Sequence, residues 1–382
     1  MPKIAIVAGE ASGDLLGSHL MRALKAQRSD LTFIGIAGPK MMGEGAKSLF
    51  SIEKLSVRGY VEVITHLYGL LKLRRNLLKQ LLAEKPDIFI GVDAPDFNFW
   101  LERKLKKEGI ATIHYVSPSI WAWRGGRMGK IKRAVSHVLA LFPFEPALYE
   151  KAGVPVTYVG HPLADELPLK PNKKAAREIL KIEKNKLVVA MLPGSRQSEV
   201  KQHADLFVKT AQIIHQDNAN TQFLVPLITR QTRQIFENAM YKNLQDKNES
   251  EYVDLDIMFG HAHDAMEAAD VVLVASGTAT LEAALLKRPM VITYRMPIVS
   301  WWILKRMNYL PYVGLPNILA GKFVVPELLQ HDATPQKLAD AVSLLLVDKT
   351  RTQEIKGEFT AIHQTLKQNS AKKAASVILS YL

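Results

Sequence analysis

Cysteine is absent from the 382 residues, which excludes disulfides, thiolate metal sites, iron–sulfur clusters and a cysteine nucleophile. Any catalysis therefore uses oxygen and nitrogen groups. Apolar runs are short: none reaches the roughly 18 residues of a membrane-spanning helix, and the opening stretch runs apolar only from Ile4 to Ala8 before Gly9 and Glu10, short of a signal-peptide core. A cytoplasmic location is the expectation. No low-complexity tract or fixed-period repeat is found, so disordered, collagen-like and solenoid architectures are excluded. Missing too are a Walker A loop, a G-x-G-x-x-G after the first strand, H-E-x-x-H and a G-x-S-x-G elbow, which disfavours ATPases, dehydrogenases and hydrolases.

What is present is ordinary globular composition with a cationic excess. Hydrophobic residues make 48% and charged residues 23%, which at about 150 residues per domain supports two to three domains. Lys and Arg number 50 against 37 Asp and Glu, a net charge of +13 that suits a nucleic acid, an anionic membrane surface or a phosphorylated substrate. The cations are dispersed rather than striped with aromatics, which argues against a non-catalytic nucleotide- or nucleic-acid-binding protein.

Short β-branched runs alternate with helix-period segments. Residues 3–8, 32–37, 87–92, 111–116 and 135–141 read as buried parallel strands, and a second series follows at 186–192, 222–227, 271–274 and 289–294. Between the series, Pro162, Pro168, Pro171 and the pair Lys173 and Lys174 mark a domain connection. The fold class is α/β: a Rossmann-like doubly wound domain over 1–165, a second over 166–345, the two facing a central cleft, and C-terminal helices over 346–382 that pack across a domain or onto a partner chain. Ligands of such sheets bind at strand C-termini.

The candidate site residues sit in those turns. After the first strand, Gly9, Glu10, Ser12, Gly13 and Asp14 form a small-residue turn that opens a helix, either a plain βα turn or a seat for a polar ligand. Asp93 ends a buried strand, where desolvation raises its basicity, so general base is its leading role. Asp96, after Pro95, most simply caps the next helix. His114 on a β-run reads as a satisfied buried histidine, and Trp121, Trp123 and Arg124 as either sugar-stacking groups or core. In the second half, Gly194, Ser195 and Arg196 make a phosphate site at a helix start, with a fork-shaped guanidinium. Ser276, Gly277 and Thr278 form a matching turn, and Glu282 lies one helical turn on, able to accept from ribose hydroxyls. Two such turns suit a nucleoside diphosphate. Asp254 and Asp256 superficially match a metal-binding D-x-D beside His261, His263 and Asp264, but the spacing forms no recognised metal cage, so no metal and no cofactor are expected. A helical stripe of Val61, Val63, Ile64, Leu67, Leu70 and Leu71, interleaved with Lys72, Arg74, Arg75 and Lys79, is either core or a membrane contact, with Tyr68 and Leu73 off the stripe. Trp301, Trp302, Lys305 and Arg306 form a second such segment.

Taken together, Val-Ala-Gly-Glu-Ala-Ser-Gly-Asp at 7–14, Asp-Ala-Pro-Asp-Phe-Asn at 93–98, the Tyr115 to Arg124 segment, Leu-Pro-Gly-Ser-Arg at 192–196, Ser-Gly-Thr-Ala-Thr-Leu-Glu at 276–282, Tyr294-Arg295-Met296 and Leu315 to Gly321 resemble the lipid-A-disaccharide synthases over nearly the whole chain. The resemblance implies an inverting GT-B glycosyltransferase. It would join UDP-2,3-diacylglucosamine to 2,3-diacylglucosamine 1-phosphate, releasing UDP, as a peripheral protein and homodimer at the cytoplasmic face of a Gram-negative inner membrane. It assigns Asp93 as the base, Arg196 and the Ser276–Thr278 helix start to the leaving diphosphate, Glu282 to the ribose, and Asn317 to the diphosphate or donor sugar. Glu10, Ser12 and Asp14 would meet sugar hydroxyls, and Tyr294 would lie at the donor. Arg58 departs from the family, which more often has an apolar residue there. The rival enzyme is another GT-B member acting on UDP-sugars, such as a UDP-N-acetylglucosamine 2-epimerase, which would need no lipid.

Overall fold

Two parallel sheets organise the chain in the computed structural model, which describes residues 1–55, 60–121, 125–244, 253, 255–298, 301–302 and 310–382. The chain divides into two compact units, Met1–Asp165 with Thr365–Leu382, and Glu166–Gln364. The first unit contains β1 (Lys3–Ala8), β2 (Thr32–Ile36), β3 (Ala46–Ser48), β4 (Ile88–Val92), β5 (Ala111–Tyr115), β6 (His137–Ala140) and β7 (Val156–Tyr158). All pair in parallel, in the order β3-β2-β1-β4-β5-β6-β7.

The apolar runs are continuous because both sheet faces are covered. Along β1, Ile4, Ile6 and Ala8 join a core with Leu20, Met21 and Leu24 of helix α1 (Ala11–Gln27) and with Ala374, Ala375 and Ile378 of the last helix, Ser370–Leu379. The alternate residues Ala5 and Val7 join Leu77 and Leu81 of α3 (Tyr60–Glu84) and Leu101 and Leu105 of α4 (Pro95–Lys107), the short α2 (Pro39–Gly43) lying between α1 and α3 in sequence. Each fully buried leucine contributes about 1.5–3 kcal/mol of transfer free energy.

The chain returns to the first unit at its end. The Asp165 carboxylate accepts from Asn369 N at 2.9 Å and Ser370 N at 2.6 Å, so the last helix takes its N-terminal cap from a residue distant in sequence. Tyr158 Oη donates to Thr365 O at 2.7 Å and Lys367 Nζ to Asp165 O at 3.0 Å.

The second unit is built alike from β8 (Leu187–Leu192), β9 (Thr221–Leu227), β10 (Leu255–Phe259), β11 (Val271–Ala275), β12 (Met290–Tyr294) and β13 (Glu327–Leu329), ordered β10-β9-β8-β11-β12-β13. In both sheets the strand order reverses beside the first strand, between β1 and β4 and between β8 and β11. Crossovers there leave the sheet in opposite directions and open a crevice at the carboxyl ends, the place where such sheets bind ligands. Among the described residues no helix is long and apolar enough to cross a membrane.

Candidate active site

In the second unit the loops after β8 and β11 open onto a cavity of about 600 Å³. Gly194, Ser195, Arg196, Ser276, Gly277, Thr278, Glu282 and Tyr294 all line it, with Pro226, Ile228 and Trp301 as apolar wall. Gly194 has φ 131°, and a Cβ there would meet Glu199 Cβ at 2.5 Å, so this turn requires glycine. Helix α5 (Gln197–Asp217) then starts with a carboxylate already at its N-terminus: Glu199 Oε2 accepts from Ser195 N at 3.0 Å and Arg196 N at 3.2 Å, and Oε1 from Arg196 Nη1 at 2.9 Å. An acid at this helical position closes a capping box. The Arg196 side chain nevertheless stays 62% exposed, within the reach of an incoming anion.

The other turn is open. Gly277, φ 147°, precedes α7 (Thr278–Leu285), whose N-terminus has no side-chain cap; α6 (Ala262–Ala268) stands beside it. From α6, His263 Nε2 meets Glu282 Oε2 at 3.0 Å, and that hydrogen bond raises the His263 pKa above the ordinary imidazole range. His203 fixes the back wall: its Nδ1 bonds Glu199 O at 2.8 Å and its Nε2 accepts from Arg295 N at 2.9 Å, so the ring is neutral, and burial keeps its pKa low. The Tyr294 ring packs on it with centroids 5.5 Å apart.

In the first unit the corresponding place is the pair of loops after β1 and β4. Asp93 and Ala94 adopt φ 51° and φ 44°, two consecutive non-glycine residues in the left-handed region, a strained geometry of the kind that concentrates at functional sites. The turn is held by Asp93 N donating to Tyr115 O at 2.8 Å and by Asn98 Nδ2 donating to Asp93 O at 2.8 Å. Gly9 lets the two loops approach, since a Cβ there would lie 2.6 Å from Ala94 Cβ. Burial pushes the Asp93 carboxyl above the usual range, against the nearby His114 that lowers it, while Glu10 adds to the rise. Glu10 is half-buried and Ser12 exposed; Gly13 packs α1 against Ala8 and Val92. Beyond β5, Trp121 lies edge-on to Phe142 and Phe144 and its Nε1 donates to Glu145 at 3.2 Å. Burial pushes Glu145 up to about 7.

Comparison with known proteins shows the family of the chain. The family model described as lipid-A-disaccharide synthetase matches residues 4–380. The chain belongs to the lipid-A-disaccharide synthase family. A lipid-A-disaccharide synthase of Methylobacillus flagellatus is 65% identical over 382 residues, 100% of each chain. Another, of Dechloromonas aromatica, is 58% identical over 381 residues, 100% of this chain and 98% of its own. Membership makes the protein an enzyme, a glycosyltransferase. Among solved structures, a glycotransferase of kitacinnamycin has a TM-score of 0.66 at 15% identity, covering 100% of this chain and 99% of its own. A UDP-GlcNAc 2-epimerase of Neisseria meningitidis bound to UDP-GlcNAc has a TM-score of 0.64 at 12% identity, covering 99% and 100%. These show the GT-B-like fold, and the epimerase weighed on the sequence is a distant likeness.

For this family member the structure corrects several expected roles. Asp14 is buried and spends both oxygens on the start of α2, accepting from Gly38 N at 2.9 Å, Lys40 N at 2.9 Å and Met41 N at 3.0 Å; it anchors a helix rather than a sugar. Asn317, on α8 (Leu315–Ala320), is buried: its Oδ1 accepts from Val324 N at 2.8 Å and Val325 N at 3.0 Å, and its Nδ2 donates to Val325 O at 2.9 Å and Glu327 Oε1 at 2.8 Å. No valence is left for a diphosphate. Asn317→Ala is therefore expected to destabilise the second unit by about 2–3 kcal/mol, read as a lower melting midpoint, with the donor KM of the folded enzyme unchanged; a raised KM at unchanged melting would return Asn317 to the substrate.

Asp96 does not cap α4. The cap position is Ala94, and Asp96 pairs with Arg127 at 2.9 Å. Leu73 is buried at 8% exposure rather than off the packed stripe, whereas Tyr68 is 79% exposed. Leu70 and Leu71 are half-buried, and Arg74 stacks on Trp100 at 4.4 Å. The side chains of Val61, Val63, Ile64 and Leu67, like Arg58, Trp123, Arg124, Asp254, Lys305 and Arg306, lie outside the described residues. Glu199 and His203, which brace the candidate site, are not singled out by the sequence, and His263 is weighed there only beside a discounted metal motif. Only Glu199 carried a signal, the acid three residues into a helix.

Proposed function

We propose that this enzyme transfers the 2,3-diacylglucosaminyl group of UDP-2,3-diacylglucosamine to the 6-hydroxyl of 2,3-diacylglucosamine 1-phosphate, with inversion and release of UDP. The observation that carries the reading is the strained, partly desolvated Asp93 at the strand-order reversal of the first sheet, in a family member whose second sheet opens a glycine-turn pocket at the same place. Asp93 takes the hydroxyl proton as that oxygen attacks the anomeric carbon, and the bond to the β-phosphate breaks with its electron pair going to UDP. Arg196 and the uncapped start of α7 receive the charge that develops on the diphosphate. Glu282, oriented by His263, accepts from the ribose hydroxyls, and Glu10 and Ser12 meet sugar hydroxyls. The charge is handled by protein groups, so no divalent cation is required.

The reading places the enzyme at the cytoplasmic surface of the inner membrane as a peripheral protein. Exposed Tyr68, Ile298 and Trp302, among dispersed cations, supply apolar contacts for acylated substrates. A second copy of the chain is the partner that the family resemblance implies. The test gives the purified protein both acylated substrates in detergent with EDTA. Equimolar UDP and disaccharide 1-phosphate are expected, unaffected by the chelator. UDP released without disaccharide would overturn the acceptor assignment, and loss of activity in EDTA would overturn the metal-free step.

A further inference from the structure

At the pocket after β8 and β11, one hydrogen bond ties a lining carboxylate to a side chain from the neighbouring helix. Two consecutive left-handed residues, Gly260 at φ 74° and His261 at φ 57°, carry the chain from β10 into α6. Phe259 pairs with Leu227, and Gly260 N donates to Leu227 O at 2.8 Å, so the β9–β10 ladder runs up to the turn. Beyond it Ala262 joins the pocket wall, and His263 meets α7, its Nε2 3.0 Å from Glu282 Oε2. Glu282 lines the same pocket. The neighbouring His261 serves a different acid, its Nδ1 lying 2.8 Å from Asp264 Oδ2.

The consequence follows from counting lone pairs. A carboxylate oxygen only accepts, so His263 Nε2 donates, and Oε2 gives up one lone pair to it. Oε1 has no hydrogen-bond partner among the described residues. A glutamate left alone spreads over several rotamers, and a ligand that needs one of them must meet the cost of ordering it. Held by the imidazole, the carboxylate meets its ligand already oriented. As a stability device the pair is poor: its side chains are 49% and 21% exposed, and pairs so open to water add little to folding. Two adjacent acceptor oxygens on one fixed carboxylate suit a vicinal diol, which ribose has and 2′-deoxyribose lacks.

We propose that His263 is a positioning residue that sets the selectivity of this pocket for a ribonucleoside over a 2′-deoxyribonucleoside diphosphate, by holding Glu282 in the orientation that accepts from both hydroxyls. The inference rests on the reading that Glu282 meets the ribose of UDP. Glu282 touches the ligand, and His263 acts through it. Without the imidazole the carboxylate is free to change rotamer, so the preference for ribose shrinks, while the diphosphate contacts at Arg196 and the start of α7 serve both ligands alike.

The test measures the dissociation constants of UDP and 2′-deoxy-UDP for the full chain by calorimetry. The unaltered enzyme should prefer UDP about ten- to a hundredfold, the worth of one hydrogen bond to a charged group. His263→Ala should reduce that ratio at least about threefold, as for residues in direct contact. His263→Gln, whose amide nitrogen reaches the place of Nε2, should restore most of it, and in a Glu282→Ala background His263→Ala should add nothing. A ratio unmoved in His263→Ala, with the preference lost in Glu282→Ala, would make the histidine a surface pair only and leave the ribose assignment standing. A preference absent from the unaltered enzyme, or intact in Glu282→Ala, would instead remove that assignment and this inference with it. Should His263→Ala fail to fold, ¹⁵N-histidine spectra of the unaltered enzyme decide: UDP should shift the His263 Nε2 signal more than 2′-deoxy-UDP does, and equal shifts overturn the proposal.

Discussion

Replacing Asp93 by asparagine is expected to lower kcat about a hundred- to ten-thousand-fold, the range that a positioned general base supplies, or about 3–5 kcal/mol of barrier. Asparagine keeps the size of the side chain and its ability to hydrogen-bond the acceptor hydroxyl, so substrate KM should change little. UDP affinity, which the proposed reading assigns to the pocket after β8 and β11, should not change at all. The wild-type rate should also fall as pH drops through the Asp93 pKa, which burial sets above the ordinary carboxylate range: the base works ionised, so activity is present above that point and lost below it. Single-turnover measurement of disaccharide formation checks both. An asparagine variant keeping more than a tenth of the rate would place the base elsewhere.

Arg196→Ala should lower kcat by about a hundred- to a thousand-fold, by analogy with the loss of a single oxyanion donor. Stability should barely respond, because the Arg196–Glu199 ion pair is open to solvent on the arginine side and such pairs contribute about 0–1 kcal/mol. A large kinetic effect with a small thermal one separates a transition-state role from a structural one. Arg196→Lys should restore only part of the rate, since a point charge does not reproduce the planar fork. The Glu199 carboxylate meanwhile keeps the amides of Ser195 and Arg196 engaged, so the guanidinium rather than the helix end is the part of this turn left open to solvent. A variant with unchanged kcat and a raised donor KM would show that Arg196 binds ground state and transition state alike.

The long buried strands were legible because a sheet covered on both faces writes itself as unbroken apolar runs, as at Ile88–Val92 and Val271–Ala275. The three-residue edge strands β3, β7 and β13 were not, since a half-covered edge needs no such run. The site turns were legible at Gly194 and Gly277, where positive φ demands glycine. Roles were harder to read than places. Asp14 and Asn317 belong to residue types that bind ligands and cap backbones equally well, and what decides between those uses comes from elsewhere, residues 38–41 for the first and 324–327 for the second. Nothing in the sequence marks Glu102 as a buried position. Only Gly91, the glycine facing it on β4, turns it inward.

The division of the chain sets the order in which a ribosome can finish it. The first unit holds residues 1–165 and 365–382, so the unit whose synthesis begins first is completed after the other. Until the terminal helix emerges, Leu20, Met21 and Leu24 lack the cover of Ala374, Ala375 and Ile378, and the second unit has its whole sequence out of the tunnel earlier. A nascent chain stalled before residue 370 thus presents an apolar stripe on a nearly formed domain, the kind of surface chaperones hold. A premature stop after residue 364 damages the unit that holds Asp93 while sparing the sequence of the second unit.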